Sequence, residues 1–327
     1  MTMTNDVTVV VPTRNRRDLL RATLRSIRGQ ESVGVRIVVV DEASTDGTIE
    51  WLERIGDARL RVVRHDEPRG VAAARNTGLA AVDTRWVAFC DDDDLWAPDK
   101  VASQLAALEA DAARWCCGGS VMVDGDLGIV DHQRAITGDV LDALLAMNRV
   151  PGGGSGVLAE TAFVREVGGF DVSLRNSEDW DLWIRLAQRS RLAGVDRPLV
   201  AYRMWAGSKS RDLSRMLLAW QTITTRYREL AAARGVEADV ARHREYLARQ
   251  QVRDRRRMTA ARTYSRMAFA AKDPKAWPRA VAALVAPAFM DRVGTERASR
   301  RVPPEWRAEG DAWLAAHRSS DVIGSVP

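Results

Sequence analysis

Two groups of acidic residues are the part of this sequence best suited to chemistry. The first is the run of four aspartates at 91–94, which directly follows the apolar segment 86–90. The second is the pair Glu178 and Asp179. Closely spaced carboxylates offer oxygen ligands, which suit a hard divalent cation such as Mg²⁺ or Mn²⁺. A carboxylate that faces a cleft can instead remove a proton from a substrate. The sequence therefore predicts metal binding, proton transfer or both.

The aspartate run has two interpretations that its composition alone leaves open. Alternate residues of an extended segment point the same way, so Asp91 and Asp93 would converge on one cation that bridges the protein to a phosphate. The run also suits a solvated turn before a helix, because aspartates stabilise helix N-termini. Its position at the end of a buried strand favours the metal site.

The second acidic pair lies at the start of a helix predicted from near Ser177 to about residue 189. Ser177 suits an N-cap, and acidic residues there can simply complement the helix dipole. Asp179, however, shares one helical face with the apolar residues Leu182, Trp183 and Leu186. An unpaired charge at the top of an apolar stripe is costly. We therefore expect Asp179 to face a cleft and to act as a general base.

Strands and helices alternate over residues 7–110 and would position these groups. The strand candidates are short, rich in valine and almost continuously apolar, as strands buried on both faces are. They are residues 7–11, 36–40, 60–64 and 86–90. Helical stripes lie between them, and this alternation indicates an α/β fold with a mainly parallel sheet.

Polar residues follow the predicted strands, where open α/β sheets bind their ligands. They are Pro12, Thr13, Arg14 and Asn15 after the first strand, Asp41 and Glu42 after the second, and Arg75 and Asn76 beyond the third. The first turn has no GxGxxG, and GxxxxGK[ST] is absent from the chain, which disfavours an NAD enzyme and a P-loop ATPase. We expect His65 at the surface or in a loop.

Composition and charge narrow the class of protein further. The chain has 327 residues, of which 46% are hydrophobic and 28% charged, as in globular proteins of about two domains. Three cysteines cannot form a disulfide framework, so we expect a reducing, cytosolic compartment. Residues 1–210 carry a net charge of −5 and residues 211–327 one of +10. The first region is unlike a nucleic-acid binder, and we expect no nucleic-acid partner for the chain.

Six segments, in this order, resemble the family 2 glycosyltransferases with the GT-A fold. They are VTVVVPTRNR, VVVDEASTDGT, RGVAAARNTGL, FCDDDDLW, GGFD and SEDWDLWIRL. The resemblance covers about residues 7–210. It implies a GT-A catalytic domain over 1–210, with helices on both faces of a mainly parallel sheet, followed by an Arg-rich, α-helical C-terminal region over 211–327.

The resemblance also implies a role for each site residue. It implies an inverting transfer from a nucleotide-diphosphate sugar, with a UDP-sugar as first guess, to an acceptor hydroxyl, and a Mn²⁺ or Mg²⁺ cofactor. Asp91 and Asp93 would hold the metal, and Asp179, with Glu178 in the same motif, would serve as base. The donor-binding residues would be Pro12, Thr13, Asn15, Asp41, Glu42, Arg75, Asn76, Asp91 and Asp92.

Three departures from the family pattern leave a second function open. Glu42 stands where an aspartate is usual, Arg14 where an aromatic residue is common, and Trp205 where a histidine often completes metal binding. An indole is not a ligand of that kind, so the alternative is a weakened or inactive scaffold that binds sugar nucleotides or a partner. The expected acceptor is a glycan or a lipid-linked molecule of cell-surface polysaccharide or glycoconjugate synthesis. The basic C-terminal region would contact the inner membrane face peripherally.

Overall fold

Nine strands form one mixed sheet in the computed structural model, which describes residues 7–204, 213–270 and 275–318. The strands are β1 (Val7–Thr13), β2 (Val35–Glu42), β3 (Leu60–His65), β4 (Trp86–Phe89), β5 (Leu95–Trp96), β6 (Trp115–Val123), β7 (Ile129–Gln133), β8 (Val157–Glu160) and β9 (Leu192–Arg203). The helices of the first part are α1 (Arg17–Arg28), α2 (Thr48–Arg54), α3 (Val71–Ala80), α4 (Lys100–Ala110), α5 (Leu141–Ala146), α6 (Thr161–Glu166) and α7 (Glu178–Ala187). Those of the second are α8 (Leu213–Arg226), α9 (Arg228–Ala233), α10 (Val240–Arg253), α11 (Arg257–Ala270), α12 (Ala276–Val285), α13 (Pro287–Ser299) and α14 (Pro304–Arg318).

The strand order is β3-β2-β1-β4-β8-β6-β9-β5, and β7 pairs with β6. The first four strands pair in parallel, as does β6 with β9. Strand β8 is antiparallel to β4 and β6, and β5 and β7 are antiparallel to β9 and β6. Most paired residues therefore lie in parallel pairs, and the predicted α/β class with a mainly parallel sheet is confirmed.

The valines of β1 are buried because helices cover both faces of the sheet. Val9 and its odd-numbered neighbours pack with the apolar stripe of α1, whereas Val10 packs on the α3 side. A Cβ on Gly78 of α3 would lie 2.2 Å from a Val10 methyl carbon, so this glycine permits the close packing of α3 on β1. The unbroken apolar runs in the sequence follow from this two-sided burial.

Parallel register brings the carboxyl ends of β1, β2 and β4 to one edge of the sheet. Thr13 is the partner of Asp41, and Val10 is the partner of Phe89 just before the aspartate run. Loops that follow these strands therefore meet beyond the same edge. This edge is where the site forms.

The C-terminal region is helical, as predicted. Helices α10 to α12 share an apolar core in which Tyr264 is the largest buried side chain. Helix α14 packs against the sheet, because Trp306 and Leu314 share a core with Val121. The predicted domain boundary at residue 210 lies outside the described residues and stays a prediction. Among the described helices, none has the length and apolar character needed to cross a membrane.

Candidate active site

A cleft of about 520 Å³ opens beyond the carboxyl ends of β1, β2 and β4. It is closed on one side by the start of α7 and on another by the glycine turn at 152–156. The polar and glycine residues that line it include Thr13, Arg14, Arg16, Glu42, Arg69, Gly70, Arg75, Asp91, Asp92, Asp93, Gly153, Gly154, Glu178, Asp179 and Tyr202. Pro12 also lines the cleft, whereas Asn15, Asp41 and Asn76 do not. The two acidic groups, almost 90 positions apart in the sequence, thus share one cleft.

The aspartate run folds as a turn, and the extended conformation assumed from the sequence is wrong. The amide of Asp94 donates to the carbonyl of Asp91 at 3.2 Å, which closes the turn. Asp92 accepts from Thr13 Oγ1 and from an Arg16 guanidinium nitrogen, both at 2.8 Å. The same Arg16 nitrogen lies 3.1 Å from Asp93. Asp92 is therefore held by β1 and its loop, and burial raises the pKa of Asp92 to about 6 even beside Arg16.

The fourth aspartate points away from the cleft and fixes the turn to its surroundings. Asp94 is fully buried and accepts from Ser155 Oγ at 2.6 Å and from the amide of Arg203 at 3.1 Å. Ser155 Oγ in turn accepts from the amide of Asp91 at 2.9 Å. Asp94 thus joins the aspartate turn, the glycine turn and the end of β9. Nothing in the sequence separates this structural aspartate from its three neighbours.

Arg75 lies between the two acidic groups. One guanidinium nitrogen donates to Asp91 at 2.5 Å and the other to Glu178 at 2.7 Å. The side chain is 3% exposed and its guanidinium lies 5.2 Å from the centre of the Phe170 ring. Burial opposes the charged form, but Asp91 and Glu178 outweigh it and raise the pKa of Arg75. A permanent cation therefore lies between Asp91, a proposed metal ligand, and Glu178, the neighbour of the proposed base Asp179.

Asn76 holds the segment that carries Phe170. Its amide nitrogen donates to the carbonyl of Phe170 at 2.7 Å, and its amide oxygen accepts from the Phe170 amide at 2.9 Å. The GGFD segment is thereby attached to α3, which places the Phe170 ring against Arg75. Both polar ends of the Asn76 side chain are therefore occupied by the backbone of Phe170. Direct contact of Asn76 with a nucleotide-sugar donor stays a prediction.

Asp179 occupies the first turn of α7 and is half-buried at the cleft. Its Oδ1 accepts from the amide of Trp180 at 2.7 Å. Burial and the neighbouring Glu178 raise the pKa of Asp179 to about 6, despite Arg75. Ser177 stands at the N-cap position of α7, as predicted, but it has φ 61° and its side chain makes no capping hydrogen bond. The pKa near neutrality suits a carboxylate that takes up a proton during a reaction.

Two glycines let the backbone approach these side chains. A Cβ on Gly154 would lie 2.7 Å from an Arg75 guanidinium nitrogen. Gly153 has φ +52°, and a Cβ there would lie 3.5 Å from Asp179 Oδ2. The glycine turn therefore lies against both residues. A side chain at 154 would displace Arg75, whereas at 153 the contact with Asp179 is ordinary and the positive φ is what disfavours a side chain.

The loops after β1 and β2 hold one another. Asn15 has φ 53°, accepts from the amide of Thr45 at 2.7 Å and donates its own amide to Ser44 Oγ at 2.9 Å. Asp41 accepts from the amide of Ser44 at 3.0 Å, and its Oδ1 is buried with no hydrogen-bond partner among the described residues. Asp41 is fully buried and does not line the cleft, so a ligand would reach this oxygen only if the end of β2 or its loop moved.

Glu42 caps the start of α3. It accepts from the amides of Arg69 at 3.1 Å and Gly70 at 2.6 Å. Its other contact is His65 Nδ1 at 2.8 Å, and His65 Nε2 lies 2.9 Å from Thr77 Oγ1. The expectation that His65 lies at the surface is wrong, because its ring is buried between these partners. The longer glutamate, unusual for the resembled family, reaches the two amides just before α3 and the histidine together.

The carboxylate oxygens at the cleft fit a divalent cation whose remaining coordination positions are filled by a bound ligand. Asp91 and Asp93 supply carboxylate oxygens at the cleft, and Mg²⁺ typically takes one or two protein carboxylates together with substrate phosphates. Within the described ranges there is no cluster of three His, Cys, Asp or Glu residues that would enclose a cation by itself. Trp205, at the position where the family often has a histidine, lies outside the described residues.

Comparisons with known proteins identify relatives of this chain. The model of the family "Glycosyl transferase family 2" matches residues 8–163. The putative teichuronic acid biosynthesis glycosyltransferase TuaG of Bacillus subtilis is 30% identical over 203 residues, which cover 61% of this chain and 79% of TuaG. Succinoglycan biosynthesis protein ExoO of Rhizobium meliloti is 39% identical over 109 residues, 33% of this chain and 31% of ExoO.

Solved structures show the same fold. S. aureus TarS 1–349 in complex with UDP-GlcNAc matches with a TM-score of 0.58 at 16% identity, over 95% of this chain and 92% of that one. The mannosyltransferase PcManGT from Pyrobaculum calidifontis, in complex with GDP-Man and Mn²⁺, matches with a TM-score of 0.50 at 21% identity, over 95% and 85%.

The sheet, the glycine turn and the acidic cleft thus define a protein of the GT-A fold class. With the match to the family model and the coverage of TuaG, the chain belongs to glycosyltransferase family 2.

Proposed function

We propose that this protein is an inverting, metal-dependent glycosyltransferase that moves a sugar from a nucleotide-diphosphate sugar to an acceptor hydroxyl. The observation that carries the proposal is the shared cleft in which Arg75 joins Asp91 to Glu178, beside Asp93 and Asp179. The neighbouring structures with UDP-GlcNAc and GDP-Man support a nucleotide sugar as donor. The relatives TuaG and ExoO support a role in polysaccharide or glycoconjugate synthesis.

Asp179, Arg75 and Arg16 have separate roles in this reaction. Asp179 accepts the proton of the acceptor hydroxyl, whose oxygen forms the new bond to the anomeric carbon from the face opposite the diphosphate. The bond from that carbon to the diphosphate oxygen breaks, and the electron pair leaves with the nucleotide diphosphate. Arg75 keeps Asp91 oriented toward the cleft, and Arg16 keeps Asp92 and Asp93 in the turn.

Asp91 and Asp93 would hold the cation, for which we propose Mn²⁺ or Mg²⁺. When bound, the cation supplies positive charge against the charge that develops on the diphosphate leaving group. Asp41, with a buried carboxylate oxygen that lacks a partner, would accept a hydrogen bond from the base or ribose, and Thr13 and Glu42 would flank it.

The second candidate is a scaffold that binds sugar nucleotides without catalysis, motivated by Trp205. The position of Asp179 at the cleft and its pKa near 6 favour the enzyme, because a binding protein needs no proton acceptor there. Donor hydrolysis or transfer that disappears in Asp179→Asn decides for the enzyme.

Calorimetric titration with UDP- and GDP-sugars, with and without Mn²⁺, tests the proposal. We expect one nucleotide class to bind more tightly with Mn²⁺, and we expect this gain to disappear in Asp93→Asn. Asp83→Asn is the matched control, because Asp83 is exposed and pairs with Arg36 away from the cleft. Absence of binding by every nucleotide, together with an Asp93→Asn protein that behaves as wild type, would reject the proposal.

We also propose that the C-terminal region contacts an anionic membrane from the cytoplasmic side. Helix α12 supports this because its small residues are buried and its large apolar residues are exposed: Ala276 and Ala280 face the core, while Trp277, Val281 and Val285 face outward. Between positions 255 and 300 there are eleven basic and three acidic residues. Exposed apolar side chains that are surrounded by basic residues are typical of helices that lie in the membrane interface. The three free, buried cysteines support a reducing compartment.

A further inference from the structure

A second, larger cavity of about 1180 Å³ lies between the β6–β7 hairpin and α10. Its wall combines the hairpin, the loop after α5, the end of β9, helix α10, one residue of α11 and the connection between α13 and α14. Seven of its lining residues are arginines and three are carboxylates. The arginines are Arg134, Arg149, Arg242, Arg244, Arg249, Arg253 and Arg301, and the carboxylates are Asp131, Asp239 and Glu245. We call this space the arginine cavity.

The carboxylates of the arginine cavity are already engaged by the protein. Asp239 accepts from the amide of Arg242 at the start of α10, and Glu245 pairs with Arg249 at 2.7 Å. Asp131 accepts from the amide of His132. Even when these three carboxylates are counted in full, the seven arginines leave the lining with an excess of positive charge.

Four arginines of the cavity have no carboxylate within ion-pair distance in the described part of the chain. They are Arg149 in the loop after α5, Arg242 and Arg244 in α10, and Arg301 in the connection between α13 and α14. Arg149, Arg242 and Arg301 are exposed, and Arg244 is half-buried. Here three separate elements converge on one concave space, where cations of one sign concentrate the field that attracts an anion.

The arginine cavity adjoins the cleft of the candidate active site, which we call the donor cleft. Tyr202 of β9 lines both spaces. Gln133, in the cavity wall, accepts from the amide of Gly152 at 3.3 Å, and Gly153 and Gly154 are the next residues of the turn that faces Arg75 and Asp179. A molecule seated among the arginines therefore lies beside the wall of the donor cleft.

We propose that the arginine cavity binds the phosphate or diphosphate group of the acceptor. The inference rests on the proposed function, since it identifies the chemical class of molecule that receives the sugar. Guanidinium groups bind phosphate oxygens with two parallel hydrogen bonds and stay charged at any physiological pH. The acceptor hydroxyl then enters the cleft past Tyr202 toward Asp179, while the anionic group stays among Arg149, Arg244 and Arg301.

Binding of acceptor analogues to UDP-saturated protein tests the inference separately from donor binding. The first probe is a sugar joined through a diphosphate to a short alkyl chain, used below its micelle concentration. The second is a short glycerol-phosphate oligomer, and the third is the same sugar without phosphate. Calorimetry with each probe distinguishes a lipid-diphosphate acceptor from a phosphate polymer.

The test variant carries R149Q, R244Q and R301Q, all at positions without a carboxylate partner. The matched control carries R255Q, R256Q and R257Q, which removes the same charge outside the cavity. We expect one phosphate probe to bind wild type and control alike and to bind the test variant at least about 30-fold more weakly, with UDP affinity unchanged in all three. The sugar without phosphate should bind all three equally.

Two results would overturn the inference and leave the proposed function intact. One is UDP binding by wild type with no binding of either phosphate probe. The other is equal weakening in the test variant and the control, which would indicate nonspecific charge attraction. Absence of binding by every nucleotide in wild type is a different outcome, because it contradicts the proposed function itself.

Discussion

Arg75 and Asp91 are joined by a hydrogen bond of 2.5 Å, although one belongs to α3 and the other to the turn after β4. The same guanidinium reaches Glu178 at the start of α7. Three elements that are distant in the chain are thus connected through one buried cation, with Phe170 against its face. This arrangement places a positive charge between two acidic groups and so reduces the repulsion between them.

We expect Arg75→Met to destabilise the protein by about 3–5 kcal/mol, because it leaves Asp91 and Glu178 without their buried partner. Urea unfolding measures the change. Arg64→Met is the control, since Arg64 is exposed and has no ion pair within the described ranges, and its effect should stay within about 0.5 kcal/mol. Equal stability of the two variants would show that the Arg75 contacts do not hold the cleft together.

We expect Asp179→Asn to reduce sugar transfer by at least about 100-fold, because the amide cannot accept the proton. In wild type, kcat/KM should rise with pH through about 6, where Asp179 ionises. A flat profile between pH 5 and 8, or residual transfer near the wild-type rate, would exclude Asp179 as the base.

The same variant should not lose stability. Because the folded-state pKa of Asp179 is raised above the ordinary value of 3.8 to about 6, the folded protein binds this proton more tightly than the unfolded chain. The charged carboxylate therefore costs stability as pH rises from about 4 to 6, and asparagine avoids that cost. Thermal unfolding of Asp179→Asn should occur at or above the wild-type Tm at pH 8, and the difference should shrink toward pH 4. A lower Tm of the variant than of wild type at pH 8 would contradict the raised pKa of Asp179.

We expect Gly154→Ala to impair the cleft while the fold persists. The added Cβ would lie 2.7 Å from the Arg75 guanidinium, so that side chain must move away from Asp91 or Glu178. A tenfold or greater loss of donor affinity, measured by calorimetry, is expected from a displacement of this kind. Gly125→Ala serves as control, because nothing lies within 4 Å of its Cβ. Wild-type affinity in Gly154→Ala would mean that the wall is more tolerant than its packing indicates.

The exposed apolar face of α12 and α13 gives a prediction for membrane binding. We expect the triple variant Trp277→Ser, Val281→Ser and Phe289→Ser to lose most of its binding to vesicles that contain anionic lipid, measured by sedimentation. Val172→Ser is the control, because Val172 is exposed to a similar extent as Val281 and Phe289 but lies at the donor cleft. Unchanged binding of the triple variant would reject this face as the contact.

The basic run at 255–257 makes a separate contribution to that binding. Basic residues near an anionic surface contribute about 1 kcal/mol each, so neutralisation of Arg255, Arg256 and Arg257 should weaken vesicle binding by about 100-fold at low salt. The effect should decrease as salt is raised. Binding that does not depend on salt would contradict an electrostatic role for the run.

The sequence by itself determined the class of fold and the chemical character of the site. Strands such as β1 and β2 are buried on both faces, and this burial requires the continuous apolar runs that are visible without a structure. Ligands of such sheets bind beyond the strand ends, so the positions of Thr13, Asp91 and Glu42 at these ends could be predicted. The helical face of α7 likewise placed Asp179 toward a cleft.

Only the tertiary structure decided which polar residues face that cleft and which support it. Four consecutive aspartates look alike in the sequence, yet Asp94 is bonded to Ser155 and β9 while Asp91 contacts Arg75, because the chain turns between them. The partners of His65 and the convergence of arginines beside Tyr202 likewise depend on segments far apart in the chain. Local pattern specifies which face of an element is buried, but contacts between distant elements arise only when the whole sheet and its helices have packed.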